Sequence, residues 1–220
     1  MRPAPAGDAR GDRGAAGGSL AGLMLDAPLR AWLGPRLDVV AGWLDRRGVR
    51  PGMMTAAGLG VGVAACVAAG LAWWPVALVL WLLNRGLDGL DGPLARRRGA
   101  TDLGGLLDFV ADFVVYGGFV VGVAVAVPDA RIACSALLAA YLLNNVVQLS
   151  FASLVEKRRL AFGDERSLRL TPGLTEGTET IAAYVVICLL PAHAAIVAWV
   201  YTAMVLITTG QRIALARRVL

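Results

Sequence analysis

Charged residues are scarce in this chain of 220 amino acids. Only 17% of the residues are Asp, Glu, Lys or Arg, whereas 57% are hydrophobic, and the mean hydropathy is +0.65. A soluble domain of this size would not carry so much apolar sequence with so little charge. The long apolar runs instead predict helices that cross a lipid bilayer.

Cysteine is also rare, and the N-terminal region has no apolar stretch. Cys66, Cys134 and Cys188 lie in apolar runs without metal-ligand spacing, so we interpret them as packing residues rather than redox groups. The first hydrophobic run begins near Met53, so no signal peptide is expected. Residues 1–27 are expected to form a disordered lead, rich in Ala, Gly, Arg and Pro, to a single membrane domain, residues 28–220.

The distribution of apolar residues predicts an all-α integral membrane bundle of six transmembrane helices. The expected spans are 53–72, 76–95, 103–127, 131–154, 177–191 and 193–214. Leu29 to Leu44 mixes Leu, Trp and Val with Arg and Asp, which predicts an amphipathic helix on the membrane surface. Gly34 and Pro35 are expected to break or kink that helix.

Basic residues cluster in alternate connections between the spans. They are Arg46, Arg47 and Arg50, then Arg96, Arg97 and Arg98, then Lys157, Arg158, Arg159, Arg166 and Arg169, and finally Arg217 and Arg218. The positive-inside rule places this face and both termini in the cytoplasm. The net charge of +5 therefore reflects topology and contact with anionic membrane lipids, and we expect no nucleic-acid partner.

Four aspartates lie at the facing ends of the second and third spans, namely Asp88, Asp91, Asp108 and Asp112. Within each pair the residues are about one helical turn apart, so their side chains share a face. Four carboxylates at a membrane boundary are unfavourable unless an opposite charge lies among them. One or two divalent cations would neutralise them, and small residues beside the acids would leave room for a bulky anion.

Residues 88–112 read D-x-x-D-G-x-x-A-R-x7-G-x-x-x-D-x-x-x-D. This pattern closely resembles the signature of the CDP-alcohol phosphatidyltransferases, integral membrane enzymes that transfer a substituted phosphate from a CDP-linked donor to an alcohol and release CMP. The resemblance extends over most of residues 28–218. It implies CDP-diacylglycerol and a small polar alcohol as substrates, a bacterial inner membrane location and a homodimer.

The resemblance also implies roles for individual residues. Asp88, Asp91 and Asp108 would hold two divalent cations, Mg²⁺ or Mn²⁺, and Asp112 would complete the metal site and act as general base. The residues implied for the CDP group and its phosphates are Thr55, Asp88, Gly92, Ala95, Arg96 and Gly104. Thr55 belongs to Pro51-Gly52-Met53-Met54-Thr55, which resembles the family's P-N-x-x-T element with Gly52 in place of the usual Asn.

Other polar residues are candidates for binding the acceptor alcohol: Arg85, Asn144, Asn145, Glu176, Thr178 and Glu179. Each also has a structural interpretation. Arg85 would pair with an aspartate, the two asparagines would form hydrogen bonds between helices, and the last three would cap the fifth span.

Four further interpretations of the aspartates remain open at this stage. Within the same chemistry, a CDP-linked head group would be transferred to diacylglycerol. In a different class, a cation-coupled transporter would bind protons or Na⁺, but such sites lie near the bilayer midplane on broken helices. The carboxylates would otherwise form salt bridges with Arg85, Arg96 or Arg97, or a metal site without catalysis.

Overall fold

The computed structural model describes residues 26–158 and 177–220, with side chains described from residue 33 onward. Every regular element in these ranges is helical, as predicted. The α-helices are α1 (Asp26–Arg46), α2 (Pro51–Gly70), α3 (Trp74–Arg98), α4 (Asp102–Ala126), α5 (Arg131–Lys157), α6 (Gly177–Leu189) and α7 (Ala194–Val219). Residues 1–25 of the expected disordered lead lie outside the described residues, as does Glu176.

Four segments are long and apolar enough to cross a membrane: Pro51–Gly70, Asp102–Ala126, Pro128–Lys157 and Pro191–Val219. The other two predicted spans correspond to α3 and α6. The second half of α3 carries charged residues, and α6 has only 13 residues, a length of about 20 Å. Length and composition therefore support four of the six predicted spans.

Prolines and a threonine mark where several helices begin. Pro51 occupies the first position of α2, where a missing backbone N–H is tolerated. Thr101 caps α4, because its Oγ1 accepts a hydrogen bond of 3.1 Å from the Gly104 N–H. Of the break or kink expected at Gly34-Pro35, the break does not occur: α1 runs through Pro35, which removes one backbone hydrogen bond without ending the helix.

The core is formed by aromatic side chains from three helices. Trp81 on α3, Phe119 on α4 and Tyr184 on α6 are fully buried. The Tyr184 ring centroid lies 4.8 Å from that of Trp81 and 4.7 Å from that of Phe119, within the range of favourable aromatic pairs. This cluster lies about one turn of α3 away from Arg85 and supports the polar residues above it.

Helix α2 packs closely against both α3 and α4. A Cβ atom added at Gly62 would clash with Val115 of α4 and lie 2.9 Å from Nδ2 of Asn84 on α3. A Cβ at Gly122 of α4 would lie 2.5 Å from the Cys66 carbonyl oxygen of α2. Small residues therefore bring these helices together, and this close packing positions the aspartates of α3 and α4 beside α2.

Candidate active site

A small cavity between α2, α3 and α4 is lined by all four aspartates. Its volume is about 10 Å³, roughly the space that one water molecule needs. The lining residues are Met54, Thr55, Gly58, Leu59, Asn84, Asp88, Asp91, Asp108, Ala111, Asp112 and Val115. The structure thus brings together the five acidic and hydroxyl residues that the sequence motifs singled out.

Asp91 is the most enclosed of the four carboxylates, with only 6% of the residue exposed. The Thr55 hydroxyl donates a hydrogen bond to its Oδ2 atom. Thr55 Oγ1 also lies 3.3 Å from the Pro51 carbonyl oxygen at the start of α2. Thr55 therefore connects the first turns of α2 to the acidic end of α3.

Asp88 and Asp112 share one cationic partner, the guanidinium of Arg85. Nη2 of Arg85 lies 2.8 Å from Oδ1 of Asp112, and Nη1 lies 3.5 Å from Oδ2 of Asp88. The arginine side chain is 6% exposed, whereas the aspartate side chains are 31% and 26% exposed. Ionised groups this deeply placed require partners of opposite charge, so this ion pair explains how the carboxylates are accommodated.

Uncharged groups also hold the Arg85 side chain. Its Nε and Nη2 atoms donate to Oδ1 of Asn84 at 2.8 and 2.6 Å, and Nη1 donates to the Tyr116 hydroxyl at 2.7 Å. Cζ lies 4.9 Å from the Trp81 ring centroid and 4.8 Å from that of Tyr116, so both rings contribute cation–π contacts. Asn84 is itself fixed by a 2.8 Å hydrogen bond to the Gly58 carbonyl.

The donor atoms of this site suit Mg²⁺ or Mn²⁺, because both ions prefer carboxylate oxygens together with substrate phosphate oxygens. Among the described residues, no three acidic, histidine or cysteine side chains are arranged to hold one ion jointly. Three of the four carboxylates already have protein partners, since Arg85 engages Asp88 and Asp112 while Thr55 engages Asp91. The chemistry of the donor set fits a divalent cation, with the guanidinium neutralising part of the same charge.

Four residues implied for CDP binding lie outside the cavity lining: Gly92, Ala95, Arg96 and Gly104. The Arg96 side chain is 68% exposed, and its Nη2 lies 3.8 Å from Oδ1 of Asp38 on α1. Gly104 belongs to the capped first turn of α4. Contact of these residues with the nucleotide stays a prediction.

The candidates for acceptor binding are dispersed, except for Arg85. Asn144 on α5 accepts hydrogen bonds from Arg212 Nη1 at 2.7 Å and Thr209 Oγ1 at 3.3 Å, both on α7, which matches its structural interpretation. Asn145 lines an apolar groove between α4 and α5 that also includes Phe109 and Phe113. Thr178 and Glu179 lie half-buried in the first turn of α6.

Three polar residues of this region were missed by the sequence analysis: Asn84, Tyr116 and Arg212. Tyr116 extends the stripe of Gly104, Asp108 and Asp112 by one more step of four residues, so the spacing carried a signal. Asn84 and Arg212 interrupt apolar helices and are almost completely buried. Polar residues inside otherwise apolar helices of a membrane protein mark sites or helix contacts.

Comparison with known proteins agrees with the geometry. The CDP-alcohol phosphatidyltransferase family matches residues 49–209. The inner membrane protein YnjF of Escherichia coli K12 is 40% identical over 193 residues, covering 86% of this chain and 94% of YnjF.

Solved structures with the same fold include the phosphatidylinositol phosphate synthase PgsA1 of Mycobacterium tuberculosis. PgsA1 with CDP-DAG bound is 20% identical, with a TM-score of 0.65, and the match covers 82% of this chain and 92% of PgsA1. PgsA1 in complex with manganese and citrate gives the same TM-score and identity over 82% of this chain and 88% of the other.

Proposed function

The chain belongs to the CDP-alcohol phosphatidyltransferase family, and we propose that it transfers a phosphatidyl group from CDP-diacylglycerol to a small polar alcohol. The observation that carries this proposal is the convergence of Thr55 and the four motif aspartates on one cavity. The related fold of PgsA1 has been solved with CDP-DAG and with manganese, which supports the same donor and a divalent cation for this protein.

Asp88, Asp91, Asp108 and Asp112 would hold two divalent cations, Mg²⁺ or Mn²⁺. When bound, these ions supply charge stabilisation to the diphosphate and to the departing CMP. Thr55 orients Asp91 through its hydroxyl, and Arg85 holds Asp112 through Oδ1 before the metal ions bind. Gly92, Ala95 and Gly104 leave space for the nucleotide, and the exposed Arg96 has the reach and the paired N–H donors to bind its phosphates.

Asp112 acts as the general base. The oxygen of the acceptor alcohol forms a bond to the phosphorus that carries the diacylglycerol, and the phosphoanhydride bond to CMP breaks. The proton of the alcohol passes to the Asp112 carboxylate. A carboxylate is a weak base for an alcohol, so positioning of the two groups supplies much of the rate enhancement.

The proposed setting is a bacterial inner membrane, with six spans and α1 on the membrane surface. The name of the E. coli relative, inner membrane protein, supports the location. Basic residues at the ends of α1, α3, α5 and α7 support a cytoplasmic site and cytoplasmic termini. In this orientation the diacylglycerol chains remain in the bilayer while the CDP group reaches the aspartates, and the protein acts as a homodimer.

The acceptor alcohol is proposed to bind between the aspartates and helices α5 and α6. Arg85 provides a cation at the cavity, Asn144 and Asn145 provide amides on α5, and Glu176, Thr178 and Glu179 lie at or before the start of α6. Inositol, an inositol phosphate, serine and glycerol 3-phosphate all have a hydroxyl of the required kind.

The direct test is release of CMP by the purified protein with CDP-diacylglycerol, Mg²⁺ and each alcohol in turn. We expect one alcohol to stimulate release, with a new phospholipid formed in equal amount, and Asp112→Asn to abolish both. CMP release from CDP-choline or CDP-ethanolamine with diacylglycerol would instead establish that the enzyme transfers a CDP-linked head group to diacylglycerol. Cation flux into vesicles without CMP release from any donor would indicate a transporter and contradict the proposal.

A further inference from the structure

Arg85 is a buried cation with both charged and uncharged partners. The carboxylates of Asp88 and Asp112 lie 3.5 and 2.8 Å from its Nη1 and Nη2 atoms. The same two nitrogen atoms also donate to the Tyr116 hydroxyl and to Oδ1 of Asn84, and the guanidinium lies over the rings of Trp81 and Tyr116. The arginine is therefore fixed by groups that do not depend on the aspartates.

We propose that Arg85 is a resident counter-ion of the carboxylate cluster and competes with the divalent cations for Asp88 and Asp112. The inference rests on the proposed function, since it concerns the same four aspartates. The guanidinium and a divalent cation seek the same oxygen atoms and repel each other, and both effects are strong where little water is present. Arg85 thus offsets part of the negative charge of the metal-free site, which allows the protein to fold without metal. It also lowers the affinity of the site for divalent cations.

The contacts of Arg85 with uncharged groups determine where its guanidinium lies after a metal ion binds to the aspartates. Asn84 and the two aromatic rings hold the guanidinium near its position after its contact with Asp112 is lost. The arginine therefore stays at the edge of the cavity, and its released N–H donors become available to an anionic group. Phosphate oxygens are the partners that such a planar set of donors binds best.

The test measures Mn²⁺ binding to purified protein in detergent, without CDP-lipid, by electron paramagnetic resonance of free Mn²⁺. Arg85→Gln removes the charge, and we expect Mn²⁺ to bind at least about tenfold more tightly than to the original protein. Arg85→Lys keeps the positive charge and should bind Mn²⁺ more weakly than Arg85→Gln does. Asp91→Asn serves as the control that must weaken binding.

The same proteins are examined for thermal stability with and without Mn²⁺. Arg85→Gln should be less stable than the original protein without metal and should gain more stability when Mn²⁺ is added. If Arg85→Gln does not fold, Arg85→Met provides a neutral side chain that still packs on both aromatic rings. Equal or weaker Mn²⁺ binding by the neutral variant would overturn the role of Arg85 while leaving the proposed metal site intact. Absence of Mn²⁺ binding in every protein would overturn the metal site and this inference together.

Discussion

The Arg85 guanidinium on α3 lies 2.8 Å from the carboxylate of Asp112 on α4, and this contact joins the two helices at the centre of the motif. Without metal it holds the carboxylate proposed as general base and places a positive charge beside the cavity.

Substitution of Asp91 and substitution of Asp112 should have different effects on substrate binding and on the rate of transfer. Asp112→Asn should lower the rate of CMP release by about 100-fold or more, since general bases contribute that much, while CDP-lipid binding is largely retained. Asp91→Asn should lower the rate of CMP release and also weaken CDP-lipid binding, because Asp91 is a proposed metal ligand buried against Thr55. Equilibrium binding of labelled CDP-diacylglycerol and single-turnover rates distinguish the two. Equal loss of binding in both variants would contradict separate roles for ligand and base.

Metal removal should abolish activity without unfolding the protein. Treatment with EDTA should stop CMP release, and Mg²⁺ or Mn²⁺ should restore it, because the diphosphate needs charge stabilisation. The fold should persist, since Arg85 partly neutralises Asp88 and Asp112 without metal. Circular dichroism and melting temperature in detergent, measured beside activity, check both statements. Full CMP release from metal-free protein would refute the metal requirement.

The expected helical architecture followed from the apolar runs, and the aspartates converge as their spacing predicted. The helix ends were less evident, since an apolar run in sequence does not reveal where a helix ends: the span expected at 76–95 continues as a helix to Arg98, and the span expected at 177–191 ends at Leu189. Contacts between helices were the hardest to foresee. Arg96 turns toward Asp38, and Tyr116 meets Arg85, only because of how neighbouring helices face each other.

Gly62 should tolerate no side chain. Gly62→Ala would force Val115 and Asn84 to move, and we expect the free energy of unfolding to fall by roughly 1–3 kcal/mol. The matched control is Gly60→Ala on the same helix, where a Cβ meets no atom within 4 Å. Thermal denaturation in detergent should show a lower melting temperature for the first variant only. Equal effects at the two positions would argue against the close contact of α2 with α3 and α4.

Tyr184→Phe should destabilise the bundle by about 1–3 kcal/mol, the usual effect of leaving buried polar groups without a partner. The Tyr184 hydroxyl donates to the Tyr116 carbonyl at 3.0 Å and lies 3.0 Å from the Tyr141 hydroxyl. Ser135→Ala removes an exposed hydroxyl that bonds only within its own helix and should have little effect. Unfolding monitored by size-exclusion chromatography after heating compares them. A neutral effect of Tyr184→Phe would show that water or lipid replaces these bonds.

The packing of the helices divides the molecule into two groups. Helix α2 packs extensively against both α3 and α4, and α5 packs mainly against α7. All four aspartates and Thr55 belong to the first group, whereas Asn144, Asn145 and Arg212 belong to the second. Under the proposed function, substitutions in the second group would change which alcohol is accepted without altering the residues that carry out the transfer. An ancestral enzyme with this arrangement could come to use new alcohol acceptors through changes in one group of helices while the other group stayed the same.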